Sequence, residues 1–133
     1  MNILQSSSFK RLESTLDAAV LRQTVSANNV ANVDTPNFKR SDVVFEELLS
    51  QQMNSKTLAG RRTLAKHIPI GVGSSPVESK IVQDSSSVMN NNLNNVDIDA
   101  EMSLLAKNQL RYNVVAQQVT HDIRNLRTAM GGK

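Results

Sequence analysis

The chain has 133 residues, enough for one modest domain, but only 3% are aromatic and 39% hydrophobic, which excludes a large globular core. It contains no cysteine, so a disulfide framework, a thiolate metal site and a cysteine nucleophile are excluded together. The formal charge of +3 comes from fifteen basic and twelve acidic residues scattered along the chain; the one tight basic cluster, Arg61, Arg62 and Lys66, is too small for a nucleic-acid footprint.

The first twenty residues lack the apolar stretch of a secretory signal, and no apolar run reaches the length needed to span a bilayer, so this part of the reading points to a cytosolic, non-membrane protein. From Phe9 onward, Phe9, Leu12, Leu16 and Ala19 follow spacings of three and four, continuing through Gln23 and Ser26 to Val30 and Val33. That pattern predicts an amphipathic helix with a weakened second half. It should stop before Thr35-Pro36, because proline disfavours helical geometry in its predecessor and has no N–H to continue the ladder.

Ser41 or Asp42 is then expected to cap a short helix with Phe45, Leu48, Leu49 and Gln52 or Met53 on one face, ending near Ser55. After it, Gly60, Pro69, Gly71, Gly73 and Pro76 punctuate a loop-rich stretch from Leu58 to Asn95, in which Val77 to Gln83 suits a short strand and a hairpin finds room. The last segment carries the clearest signal: Ile98, Met102, Leu105, Gln109, Tyr112, Ala116, Val119, Ile123, Leu126 and Met130 alternate spacings of four and three. Asp97, Asp99 and Glu101 favour the start of that helix, and Arg124 and Arg127 favour its end, by opposing the helix dipole. Gly131 and Gly132 stop it.

The expected fold is therefore mainly α: two long terminal helices in an antiparallel, coiled-coil-like hairpin, with a short helix and a loop-rich middle segment that has room for a small β-hairpin. The expected divisions are 1–40, 41–95 and 96–133. Apolar residues also lie off the two seams, notably Val20, Leu21, Val25, Leu104, Leu110, Val114 and Val115. Either the middle segment covers them or neighbouring subunits do, and head-to-tail contacts that do not close produce a filament.

Chemistry has little support. His67 precedes Ile68-Pro69 in a predicted loop, His121 falls off the helical seam, and Gly71 and Gly73 make a G-x-G too short for a phosphate-binding fingerprint. Successive acids at Asp97, Asp99 and Glu101 suit a helix start better than a metal site, since the spacing and glycine turn of a calcium loop are missing. The expectation is no catalytic residue, no cofactor, no metal, no nucleic acid and no small-molecule substrate.

The stretch Ala27-Asn28-Asn29-Val30-Ala31-Asn32-Val33-Asp34-Thr35-Pro36-Asn37-Phe38-Lys39 places three asparagines, poor helix formers, in a helical pattern that runs directly into a Thr-Pro turn. Ala27 and Ala31 permit close helix approach, the asparagines have hydrogen bonds to offer to crowded helices or to the turn, and Thr35-Pro36-Asn37-Phe38 suits a type II turn. This stretch resembles the signature of the flagellar rod and hook protein family, whose usual form has glycine where Asn37 stands and tyrosine where Phe38 stands. Thr63 to Ile68, Asn95 to Met102, Leu110-Arg111-Tyr112 and Leu126 to Gly132 resemble a proximal member of the rod branch, and the length leaves no room for the inserted domain of distal members. A sister proximal subunit shares both terminal helices but matches the middle less well.

That resemblance implies a structural subunit exported without a cleaved signal through the flagellar export apparatus and assembled beyond the cytoplasmic membrane, which replaces the cytosolic reading. It implies, as partners, other rod subunits, copies of itself, the membrane ring and its rod adaptor, and the export apparatus. The assembly signature falls on Ala27, Asn28, Asn29, Ala31, Asn32, Thr35, Pro36 and Phe38. Helix packing is expected at Leu12, Leu16, Met102, Leu105, Tyr112, Val119, Ile123 and Leu126. A helical export adaptor or chaperone, folded as a cytoplasmic dimer, is the alternative from another class.

Overall fold

The computed structural model describes residues 6–54, 77–87 and 93–131. In chain order the elements are α1 (Ser7–Ala31), β1 (Ser41–Val44), α2 (Glu46–Asn54), β2 (Lys80–Gln83) and α3 (Ile98–Ala129). The Arg61, Arg62 and Lys66 cluster, His67, Gly60, Pro69, Gly71, Gly73, Pro76, Gly132 and the Thr63 to Ile68 stretch lie outside the described residues.

Helix α1 begins where Ser6 accepts the Phe9 amide, 3.2 Å away, through its hydroxyl. It ends at Ala31, and a tight turn comes next in which the Phe38 amide donates to the Thr35 carbonyl at 3.3 Å. Asn37 takes φ 61°, the left-handed value that the third residue of a type II turn requires. Asparagine serves there because its short polar side chain tolerates that region better than most. At the other end of the chain, Asp97 caps α3 by accepting the amides of Asp99 and Ala100, and Gly131, with φ 81°, lies just beyond the Met130 cap.

The two long helices run antiparallel. Phe9 at the start of α1 shares a surface hollow with Leu126 and Ala129 at the end of α3, while midway the Asn108 amide of α3 donates to the Ala19 carbonyl of α1 at 2.7 Å. The helices are not each other's sole cover. Strands β1 and β2 form an antiparallel pair with Ser41 opposite Gln83 and Val44 opposite Lys80, and β1 packs on the second half of α1. On the flank of α1, Val77, Glu78 and Ser79 line a hollow with Ser14, Asp17 and Leu21.

Three expectations change. Ser41 and Asp42 do not cap α2: they belong to β1, which its adjacent valines Val43 and Val44 favour, and α2 starts later, with Glu46 and Glu47 in its first turn. Phe45, predicted on the helix face, instead sits just ahead of it and is buried, and Met53 is exposed. The strand predicted over Val77 to Gln83 is confined to Lys80–Gln83, and its partner is β1, upstream of the loop-rich stretch. The pair still forms within the middle segment.

The largest change is the rotation of the helices. On α3 the side turned inward carries Glu101, Leu105, Asn108, Val115, Val119, Asp122 and Leu126, whereas Met102 and Ile123 are exposed at 53% and 48%. Of the expected seam, Leu105, Ala116, Val119 and Leu126 are half-buried and Tyr112 is exposed, but Met102, Gln109 and Ile123 give way to Glu101, Asn108 and Asp122. On α1, Phe9, Leu12, Leu16 and Val30 are half-buried while Gln23 is exposed, and the deepest positions include Ser14, Ala18, Val25 and Asn29, because the sheet and the Val77–Ser79 segment cover that flank.

Among the described residues the buried apolar ones are few and mostly small: Ala18, Ala19, Val25, Val43, Phe45 and Val96. Buried polar groups share the interior, and Asn94 is fully enclosed. Reached through Leu93 in the left-handed region at φ 63°, Asn94 donates from Nδ2 to the carbonyls of Asn32, Val33 and Thr35, each at 2.9 Å. It thereby ties down the turn that follows α1, whose carbonyls lie beyond the helical ladder. Asn94→Ala should lower the unfolding free energy by about 1–3 kcal/mol, the cost of losing the hydrogen bonds of a fully buried side-chain amide, read from the urea midpoint with the slope unchanged.

Candidate assembly site

The signature stretch divides its residues between an inward and an outward role. Asn29, 1% exposed, donates from Nδ2 to the Ser41 carbonyl at 2.8 Å and accepts the Ser41 amide at Oδ1, 3.0 Å away. A side-chain amide therefore pairs with β1 as a neighbouring strand would. Asn32 donates to the Asn28 carbonyl at 2.8 Å and accepts the Thr35 hydroxyl at 3.2 Å, folding the turn back on the helix. Ala27, Asn28 and Ala31 face outward, with Pro36 on the exposed turn and Phe38 half-buried after it.

Beyond the turn, Arg40 ties β1 to β2 and to the approach of α3. Its amide donates to Asn95 Oδ1 at 2.6 Å, its carbonyl accepts the Asp84 amide at 2.9 Å, and its guanidinium donates through Nε to Glu101 and, more distantly, reaches Asp42. Burial works against the charge of Arg40, but the hydrogen bond and attraction of Glu101, with Asp42 behind them, hold its pKa above the ordinary value. Asn95 completes the link by donating to the Asp84 carbonyl and the Ser87 hydroxyl, both at 2.9 Å. Asp84 accepts the hydroxyls and amides of Ser87 and Ser86, and these bonds lower its pKa far below the usual carboxylate range.

A second polar junction ties α1, α2 and α3. Glu46 accepts Arg22 at 2.7 Å and Arg111 at 2.8 Å, and Arg22 also reaches the Val43 carbonyl. Partial burial opposes ionisation of Glu46, yet the Arg22 hydrogen bond, a backbone amide and the charges of Arg22 and Arg111 lower its pKa overall.

Arg40, Asn94, Asn95 and Asn108 carry this architecture and are not among the site residues expected from the sequence. Their one sequence signal is a pair of adjacent asparagines directly ahead of a helix start. Glu101, read as a dipole acid, lies in the first turn of α3 as expected and also turns inward to Arg40. His121 is exposed beside Asn125 and Asp122, and among the described residues no three His, Asp or Glu side chains cluster as a metal site. No helix among them is long and apolar enough to cross a membrane.

The outward side of α3 is apolar to an unusual degree. Ile98, Met102, Leu110, Val114, Ile123 and Met130 are all exposed, and Val20 projects from α1. Lone exposed apolar residues need no explanation, but rows of them along a helix mark an interaction face.

A model of the family described as flagella basal body rod protein matches residues 11–39, which run from the first turns of α1 through the asparagine turn. The flagellar basal body rod protein FlgB of Bacillus subtilis (strain 168) is 36% identical over 98% of each chain. That of Borreliella burgdorferi is 38% identical over 84% of this chain and 86% of its own. The flagellar basal-body rod protein FlgG of Buchnera aphidicola subsp. Schizaphis graminum is 36% identical over 55% of this chain, but that match spans only 29% of FlgG.

The two depressed carboxylates make stability acid-sensitive. The ordinary values are 4.5 for Glu46 and 3.8 for Asp84, and both are lower in the folded chain, so their contribution is complete above pH 4.5 and is lost as pH falls through the folded values. The melting temperature should fall on acidification below pH 4.5, and Glu46→Gln should lower it at neutral pH while making its acid dependence shallower, as monitored by circular dichroism.

Proposed function

We propose, for a chain that belongs to the FlgB family of flagellar basal body rod proteins, a purely structural role: it polymerises through its terminal helices into the axial tube of the rod. The chain is a structural subunit, and its place is the proximal end of the rod, where the tube transmits torque and conducts later export substrates. No catalytic step enters this role. The units of assembly are the rod-core segments 1–40 and 96–133, with 41–95 holding them in position.

The observation that carries this reading is the division of the helices into two sides. Inward, polar groups bind α1, β1 and α3 into one body. Outward, Met102, Ile123 and their apolar neighbours remain in water together with Ala27 and Ala31 of the signature. Helices of adjacent rod subunits, copies of this chain or of its relatives, fit such a face, and a contact that repeats without closing builds a tube. The membrane ring, its adaptor and the export apparatus are the further partners, and the subunit leaves the cytoplasm without a cleaved signal.

Ile123→Asp tests the outward face: the purified variant should keep its helical signal and melting temperature, yet cells carrying it should not swim in soft agar. Normal motility would refute the packing model. Leu105→Asp, on the inward side, should instead destabilise the monomer by about 2–5 kcal/mol, as for an apolar contact replaced by an unpaired charge. The proximal position is checked by cross-linking in isolated basal bodies, where this chain should capture membrane-ring components; capture of distal rod subunits alone would contradict it.

A further inference from the structure

Helix α3 offers two flanks to either side of its central row of Leu105, Tyr112, Val119 and Leu126. One flank carries Glu101, Asn108, Val115 and Asp122, the other Met102, Gln109, Ala116 and Ile123. At 3.6 residues per turn each flank lies about 50° from the central row, so a turn of about 100° about the helix axis exchanges them. The polar flank is buried at Glu101, fully enclosed, and at Asn108, 3% exposed, and half-buried at Val115 and Asp122, while Met102, Gln109 and Ile123 of the other flank stay in water and Ala116 is half-buried. Hydrophobicity alone favours the opposite rotation.

Two hydrogen bonds oppose it. Glu101 Oε1 holds the Arg40 guanidinium, and Asn108 Nδ2 holds the Ala19 carbonyl. Neither group uses its full capacity: Glu101 Oε2 and Asn108 Oδ1 are buried with no hydrogen-bond partner among the described residues. Half-satisfied buried polar groups are poor stabilisers, but at a helical interface they discriminate strongly between one alignment and another.

We propose that Glu101 and Asn108 form a rotational lock that fixes α3 with its more apolar flank outward, so that the folded monomer cannot bury the face its neighbours need. The lock concerns the monomer and is measurable without assembly; its purpose rests on the rod reading, which the motility of Ile123→Asp tests separately. The polar flank thus acts as positioning residues for an interface they do not touch.

The absence of cysteine permits a direct test. Single reporters are introduced at the outward flank, Ile123→Cys, and at the inward flank, Val115→Cys, and their reaction with a thiol reagent is timed on the purified full chain. The outward reporter should react faster, on the order of tenfold, as expected for exposed against protected positions. Adding Asn108→Leu should bring the two rates together, because α3 then samples both rotations, and Glu101→Gln should do so to a smaller degree. Circular dichroism identifies a background that has unfolded; if Asn108→Leu does so, Glu101→Gln decides. Rates that stay as far apart as in the parent, in every folded background, would overturn the lock.

Discussion

The contact on which the rest of the fold depends is Arg40 against Glu101. It joins the residue just past the signature turn to the first turn of α3, across 61 positions of chain. With the Arg40 backbone bonded on one side to Asn95 and on the other to Asp84, a single residue fixes β1, the end of β2 and the approach to α3 at once. Among the described residues, a core of six mostly small apolar residues does not constrain those elements by shape alone. Hydrogen bonds do so here because each has a direction, and because a buried donor or acceptor that loses its partner carries the full cost of leaving water.

The asparagines serve the same end by imitating backbone. Asn29 pairs with Ser41 as a strand would, and Asn94 supplies donors to the turn that follows α1. Both sit where a helix must pass directly into another kind of structure, a junction at which main-chain groups are otherwise left unpaired. This gives part of the signature a physical meaning: Asn29 and Asn32 are poor helix formers, tolerated because their side chains complete hydrogen bonds that no aliphatic residue provides.

Local chemistry was legible in the sequence. The helix ends at Ala31 and Ala129, the Asp97 cap and the turn at Thr35 to Phe38 with its left-handed Asn37 stem from residues within a few positions of each event, and the antiparallel arrangement is read from the apolar spacing of two distant helices. Two features were not. Ser41 and Asp42 resemble helix caps until Asn29, twelve residues back, claims the Ser41 backbone for a strand. The rotation of α3 was hidden because a periodicity count ranks Met102 above Glu101, and only a partner from a distant segment reverses that order. The signature's division into inward Asn29 and outward Ala27 and Ala31 was equally out of reach, since three asparagines in one helix look alike until the neighbour of each is known.

The same reversal connects stability to assembly. A helix that buried its most apolar flank within its own chain would gain monomer stability and have little left to offer a neighbour. Placing Glu101 and Asn108 inward yields a weaker hairpin, held by direction more than by area, and keeps Met102 and Ile123 available. On the rod reading proposed above, the stability given up in the monomer would be recovered where those side chains leave water against the next subunit, since binding partners that prefer the native state stabilise it. The small polar core and the apolar exterior are therefore one feature, and a substitution that improves the first by making it apolar should be expected to weaken the second.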